Sequence, residues 1–164
     1  MRRLPIIVAA AGLLLAIAAP IVVGNTDNRF SASLNGYLET PSISTTARGT
    51  FRATISSSSI TYRLTFHDLT TPTLFAHIHF GRPDVPGGVA AFLCGGGSKP
   101  ACPLSGTVTG TIVPSDVVGP TGQGIGAGEF AELVRAMRNG ATYVNVHSTM
   151  FPTGEIRGNL RRDD

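Results

Sequence analysis

Ala76-His77-Ile78-His79-Phe80-Gly81 is the stretch whose reading decides how this chain folds. Ala76, Ile78 and Phe80 alternate with His77 and His79. That period of two predicts a β-strand with one apolar face and one face carrying two imidazoles. Side chains two apart on a strand start roughly 6.5–7 Å from each other, so both rings can reach one ion or one ligand. Tyr143-Val144-Asn145-Val146-His147 repeats the pattern, with the valines on one face and His147 on the other.

The same alternation runs through the rest of the chain. Phe30 to Leu34 reads as a first strand, with Asn35-Gly36 as a bulge or kink within it. Gly49 to Ile55 and Ile60 to His67 read as a hairpin turning at Ser56–Ser59, with Arg52, Arg63 and His67 on its polar side. Val89 to Leu93, Gly106 to Ile112, Thr142 to Ser148 and Glu155 to Leu160 supply further strands, and Pro114–Val118 has room for one helical turn. One helix is predicted: Phe130, Leu133, Val134 and Met137 follow i, i+3, i+4, i+7, and Asn139-Gly140 ends the run as a left-handed cap. It reads as a plug over an open edge or end of the sheets. About eight short strands and one helix in the C-terminal half predict an all-β fold, a Greek-key-like two-sheet β-sandwich or a barrel.

Residues 1–24 read as a signal peptide, with Arg2 and Arg3 before the apolar run Leu4 to Ile17. The rival reading is an uncleaved anchor, since Ile6 to Val23 carries no charge and is just long enough to span a bilayer. Residues 25–164 form the one folded domain. Of 13 basic residues, losing Arg2 and Arg3 leaves 11 against 10 acidic ones. The remaining arginines are spread along the sequence, which argues against a nucleic-acid partner. Export to the periplasm, cell envelope or exterior makes a disulfide the default for Cys94 and Cys102, which flank a flexible Gly-rich loop. A pair of thiolate metal ligands is the weaker alternative.

Several segments, taken in order, carry a family resemblance. They are Ala76–Gly81, Leu93-Cys94 to Ala101-Cys102-Pro103, Gly106–Ile112, Asp116–Pro120, Gln123–Ile125, Gly128–Leu133, Thr142–Ser148 and Gly154–Gly158. Together they resemble the CHRD domain, named for chordin and found in many exported microbial proteins, over about residues 29–160. The resemblance implies an extracellular β-sandwich module. Many members carry an acidic-Val-Pro-Pro-like segment after the first strand; here it is Glu39-Thr40-Pro41.

Neutral imidazole suits Zn or Cu. His77, His79 and His147 are therefore candidate ligands of a surface metal site, with His67 or Glu155 as a fourth ligand or support, provided that strands 76–80 and 142–148 are neighbours. The principal reading is a non-enzymatic binding or structural module for an extracellular protein or glycan. Met150 and Phe151, at a loop tip, are the candidate partner contacts; membrane attachment requires an uncleaved N-terminal segment. Catalysis has little support. Ser148 and His147 point to opposite faces of one strand, and no nucleophile elbow or phosphate loop is present.

Overall fold

The structure is a computed structural model, and it describes residues 28–163. The signal-peptide reading falls on residues outside that range. The described chain forms β1 (Arg29–Asn35), β2 (Arg48–Ile55), β3 (Ile60–His67), β4 (Thr73–Phe80), β5 (Gly88–Cys94), β6 (Gly106–Ile112), α1 (Phe130–Arg138), β7 (Thr142–Ser148), β8 (Ile156–Asn159) and β9 (Arg161–Arg162). All pairings are antiparallel, in the order β5-β4-β7-β8-β1-β2-β3-β6, with β9 on β1. The sheet curls into a nearly closed barrel. Asn35-Gly36 ends β1 rather than kinking it: the Asn35 carboxamide accepts from the Tyr37 amide and starts a 3-10 turn over Gly36–Leu38.

One apolar residue in two drives the curl. Phe30, Leu34, Phe51, Ile60, Leu64, Phe66, Ile78, Val144, Val146 and Ile156 all point inward and are 1% exposed or less. Burying each such side chain contributes on the order of 1.5–3 kcal/mol. The helix closes one end of the barrel. Its Phe130, Leu133, Val134, Ala136 and Met137 are buried, and it shares a groove with Ser56 and Ser57 of the β2–β3 turn. Gly140, at φ +64°, caps the helix in the left-handed conformation that glycine adopts without strain.

The remaining gap lies between edge strands β5 and β6, and three devices bridge it. Residues after β6 add an antiparallel bridge, Ala91 to Val117, and Val118 donates its amide to the Ala90 carbonyl at 2.9 Å. The Cys94–Cys102 disulfide fastens the end of β5 to the segment leading into β6. From β3, the buried Tyr62 hydroxyl donates to the Leu93 carbonyl at 2.7 Å. Its ring passes so close to Gly110 of β6 that a β-carbon there would collide with the Tyr62 hydroxyl.

Tyr62→Phe should therefore leave the buried Leu93 carbonyl without its donor and cost about 1–3 kcal/mol. Urea unfolding checks this: the midpoint should fall with an unchanged slope. An unaltered midpoint would show that the bond does not help close the barrel.

Candidate metal centre

Two neighbouring strands assemble the site. β4 pairs with β7 so that His77 lies opposite Asn145, His79 opposite Tyr143 and Phe75 opposite His147. Residues opposite each other on antiparallel strands point to the same face. All six side chains therefore share the outer side of the barrel, away from the valines. β8 adds Arg157 opposite Asn145, and β5 adds Phe92 opposite His77.

This outer face is not at the surface. His77, His79 and His147 are only 4%, 7% and 5% exposed. The expectation of a surface site is corrected here, because loops cover β4, β7 and β8. Arg157 holds down one of them. Its Nη2 donates to the carbonyls of Arg82 and Val85, both at 3.0 Å, and its guanidinium lies 3.4 Å over the Tyr143 ring. Glu39, from the loop after β1, covers a second side and accepts from the Asn145 amide at 2.5 Å. Gly154, at φ +132°, brings the 149–155 loop so close that a β-carbon would strike the Asn145 amide and the Glu39 carboxylate.

The three imidazoles present ligand nitrogens that all lie within 4.8 Å of one another. Two nitrogens bound to one zinc at about 2.0–2.1 Å sit roughly 3.3–4.1 Å apart, depending on the angle. The cluster is thus within a modest contraction of coordination. Backbone carbonyls fix its protons. His79 Nδ1 lies 3.0 Å from the Gly87 carbonyl and His147 Nδ1 lies 3.0 Å from the Pro152 carbonyl. A carbonyl only accepts, so both Nδ1 atoms carry hydrogen and both Nε2 atoms present lone pairs. His77 Nδ1 lies 3.1 Å from His147 Nε2, so it donates there and its own Nε2 is bare. The Nε2 atoms of His77 and His79 are buried and have no hydrogen-bond partner. A carbonyl on one ring nitrogen and a free lone pair on the other is the arrangement found around metal-binding histidines; His79 has it outright, and His147 would have it once an ion replaced the His77 hydrogen at its Nε2.

The electrostatics keep these lone pairs available. Burial, with the neighbouring imidazoles, lowers His77 to a pKa of about 3. Burial lowers His79 and His147 to about 4, although the Gly87 and Pro152 carbonyls oppose the shift. All three are neutral at pH 7. Phe75 packs at 5.0 Å from the His77 ring and 4.7 Å from the His147 ring, Phe92 lies 4.5 Å from His77, and Tyr143 stacks on His79 at 4.7 Å. This aromatic wall excludes water.

The other candidate residues lie apart from the cluster. His67 is exposed at the end of β3 and bonds its neighbour Asp68 at 2.9 Å. Glu155 is buried, and its Oε1 accepts from the Thr70 amide, the Thr70 hydroxyl and the Thr45 hydroxyl at 2.7–2.8 Å. Burial pushes Glu155 up, and the surrounding donors more than offset it, leaving it below the usual carboxylate range. Met150 is 58% exposed and Phe151 half-buried. Sequence reasoning met Glu39 only as part of the Glu39-Thr40-Pro41 segment and did not place it, Asn145 or Arg157 in the site. The signal for Asn145 was present, since it shares the period-two face of His147 on β7; Arg157 joins that face only through the pairing of β8 with β7.

Residues 30–160 match the family model described as the CHRD domain. The chain belongs to the CHRD domain family. No curated protein and no solved structure matches it. In this CHRD domain the Glu39-Thr40-Pro41 segment follows the first strand and its 3-10 turn, and Glu39 forms part of the cover over the histidine face. The Cys94–Cys102 disulfide fits an oxidising compartment. Among the described residues, no helix is long and apolar enough to cross a membrane.

The titration of these groups gives a signed prediction for the metal-free chain. The histidines have depressed folded pKa values, so their contribution is fully present above the unfolded value near 6.5 and is lost as pH falls toward 4. Glu39 acts oppositely. Burial raises it to about 7, despite Arg157, so its contribution grows as pH falls from 7 toward 4.5. Three groups outweigh one, so stability should drop between pH 6.5 and 4. Glu39→Gln should make that drop steeper. Denaturant midpoints across this range test it; a flat profile would mean that the imidazoles are not buried neutral.

Proposed function

We propose that this chain is an exported, non-enzymatic CHRD-type binding or structural module in which His77, His79 and His147 hold one zinc or copper ion. The observation that carries the metal assignment is the pair of buried, unpartnered Nε2 atoms beside a third imidazole, all with their Nδ1 hydrogens already committed. A buried lone pair without a donor costs on the order of 1–3 kcal/mol, and an ion shared by the rings removes that cost. The neutral nitrogen donor set suits Zn or Cu rather than Mg or Ca, which take oxygen ligands.

Export is supported by the disulfide, the family and the basic–apolar start of the sequence. A non-enzymatic role is supported by what surrounds the histidines. The aromatic side chains and the loop gripped by Arg157 enclose the rings, and His147 and Ser148 occupy opposite faces of β7. The ion on this reading fastens β4 to β7 under its loops and organises the module.

The test is metal content of the full chain, expressed with its own N-terminal segment and purified without a histidine tag. One equivalent of Zn or Cu per chain is expected. His79→Ala and His147→Ala should each weaken affinity by at least roughly tenfold to a hundredfold. His67→Ala should leave it unchanged. Absence of metal, with no binding at micromolar concentrations of either ion, would overturn the assignment.

A further inference from the structure

Arginines that are scattered in sequence come together on the opposite side of the barrel. Ser31 of β1 pairs with Arg161 of β9 on one side and with Arg52 of β2 on the other, and Arg52 pairs with Arg63 of β3. Arg161, Arg52 and Arg63 therefore lie in one row across four strands, which at about 4.8 Å per strand spans roughly 15 Å. Arg29 and Arg48 flank the row on the same outward face, and all five are exposed.

No aspartate or glutamate occurs on β1, β2, β3, β6 or β9. Two acids lie close by: Asp163 accepts from the Ser31 hydroxyl, within the row, and Asp68 bonds His67 at its margin. None of the five guanidiniums forms an ion pair among the described residues. Arg48 donates to the Thr45 and Ala47 carbonyls, and Arg63 to the Thr107 hydroxyl. The near-balance of charge in the whole chain conceals a face on which five guanidiniums stand against the one Asp163 carboxylate.

Two features point to a ligand. Arg52 and Arg63 stand directly opposite each other, a placement of like charges that destabilises an antiparallel pair. Local preference alone would not put them there, and a departure of this kind is expected at a functional surface. Beside them Ser31, Ser33, Thr50, Arg52, Asn159 and Arg161 line a groove of about 380 Å³, furnished with hydroxyls between the guanidiniums.

We infer that this face binds an acidic polysaccharide, the guanidiniums pairing with its carboxylates or sulfates and the serine and threonine hydroxyls bonding its sugar oxygens. Apart from the His67 imidazole at the end of β3, the outward positions of β1, β2, β3 and β6 carry no aromatic side chain. Single-stranded nucleic acid is held by stacking its bases on such rings, so the chemistry favours a sugar polymer. The choice of polymer rests on the reading of the chain as an exported binding module; it does not depend on the metal site.

The experiment measures binding of the full chain to fluorescent dextran sulfate and polygalacturonate, with uncharged dextran and single-stranded DNA as comparison arms. Both acidic polysaccharides should bind, weaken steeply as salt is raised, and exceed uncharged dextran. Arg52→Thr/Arg63→Thr should lose roughly tenfold or more in affinity without a fall in Tm, because a like-charge pair is removed from exposed strand positions. Arg161→Gln provides a second variant at the edge of the row and should also weaken binding. Arg82→Gln, on the loop at the histidine face, should bind as the parent does. Equal binding by the parent and by both face variants would overturn the inference, as would DNA competing as well as the polysaccharides at the same ionic strength. Metal content and secretion, measured on the same preparations, report separately on the module reading.

Discussion

The polar side of β4, β7 and β8 is buried, and every donor and acceptor on it has to be accounted for inside the protein. Arg157 meets the largest part of this demand. Its charge is dispersed over the Arg82 and Val85 carbonyls and the Tyr143 ring, with the Glu39 carboxylate close enough to feel its field. Those same bonds pull the 81–88 loop across the strands, where the Gly87 carbonyl meets His79. A buried cation and a buried histidine cluster are thus parts of one arrangement. Without the loop, His79 would lose its orienting acceptor and the rings would lose their seclusion.

The barrel supports two faces of different character because its sheet is covered unevenly. Over β4, β7 and β8, long connections fold back and convert an outward face into a second interior, aromatic and nitrogen-rich. Over β1, β2, β3 and β6 the Ser/Thr/Arg rows remain largely exposed among the described residues. The hydrophobic interior between these sides is ordinary packing. What distinguishes the molecule is the chemistry assigned to each side of the same curled sheet.

Much of the fold was legible in the sequence because a strict period of two declares which residues point inward. Phe51 and Ile55 against Tyr62, Leu64 and Phe66 defined the hairpin. The i, i+3, i+4, i+7 set from Phe130 to Met137 defined the helix, and the Gly-rich loop brought Cys94 and Cys102 together. Alternation says nothing, however, of what lies over the other side. His77, His79 and His147 were placed on a polar face, and their burial depends on Glu39, Gly87 and Pro152, which come from three separate connections. The arginine face was hidden for a related reason. Arg52 and Arg63 read as outward residues, but their alignment with Arg161 is a matter of strand order and register, which only the closed sheet defines.

Three neutral imidazoles converge with their Nδ1 hydrogens engaged and their lone pairs turned inward. Proton–nitrogen NMR of uniformly 15N-labelled, metal-free chain at pH 6 tests this arrangement most directly. Neutral Nδ1–H tautomers are expected for His77, His79 and His147, with a joint displacement of the three sets of ring resonances when one equivalent of Zn is added. Protonated rings at that pH, Nε2–H tautomers at His79 and His147, or ring resonances indifferent to the ion would contradict it.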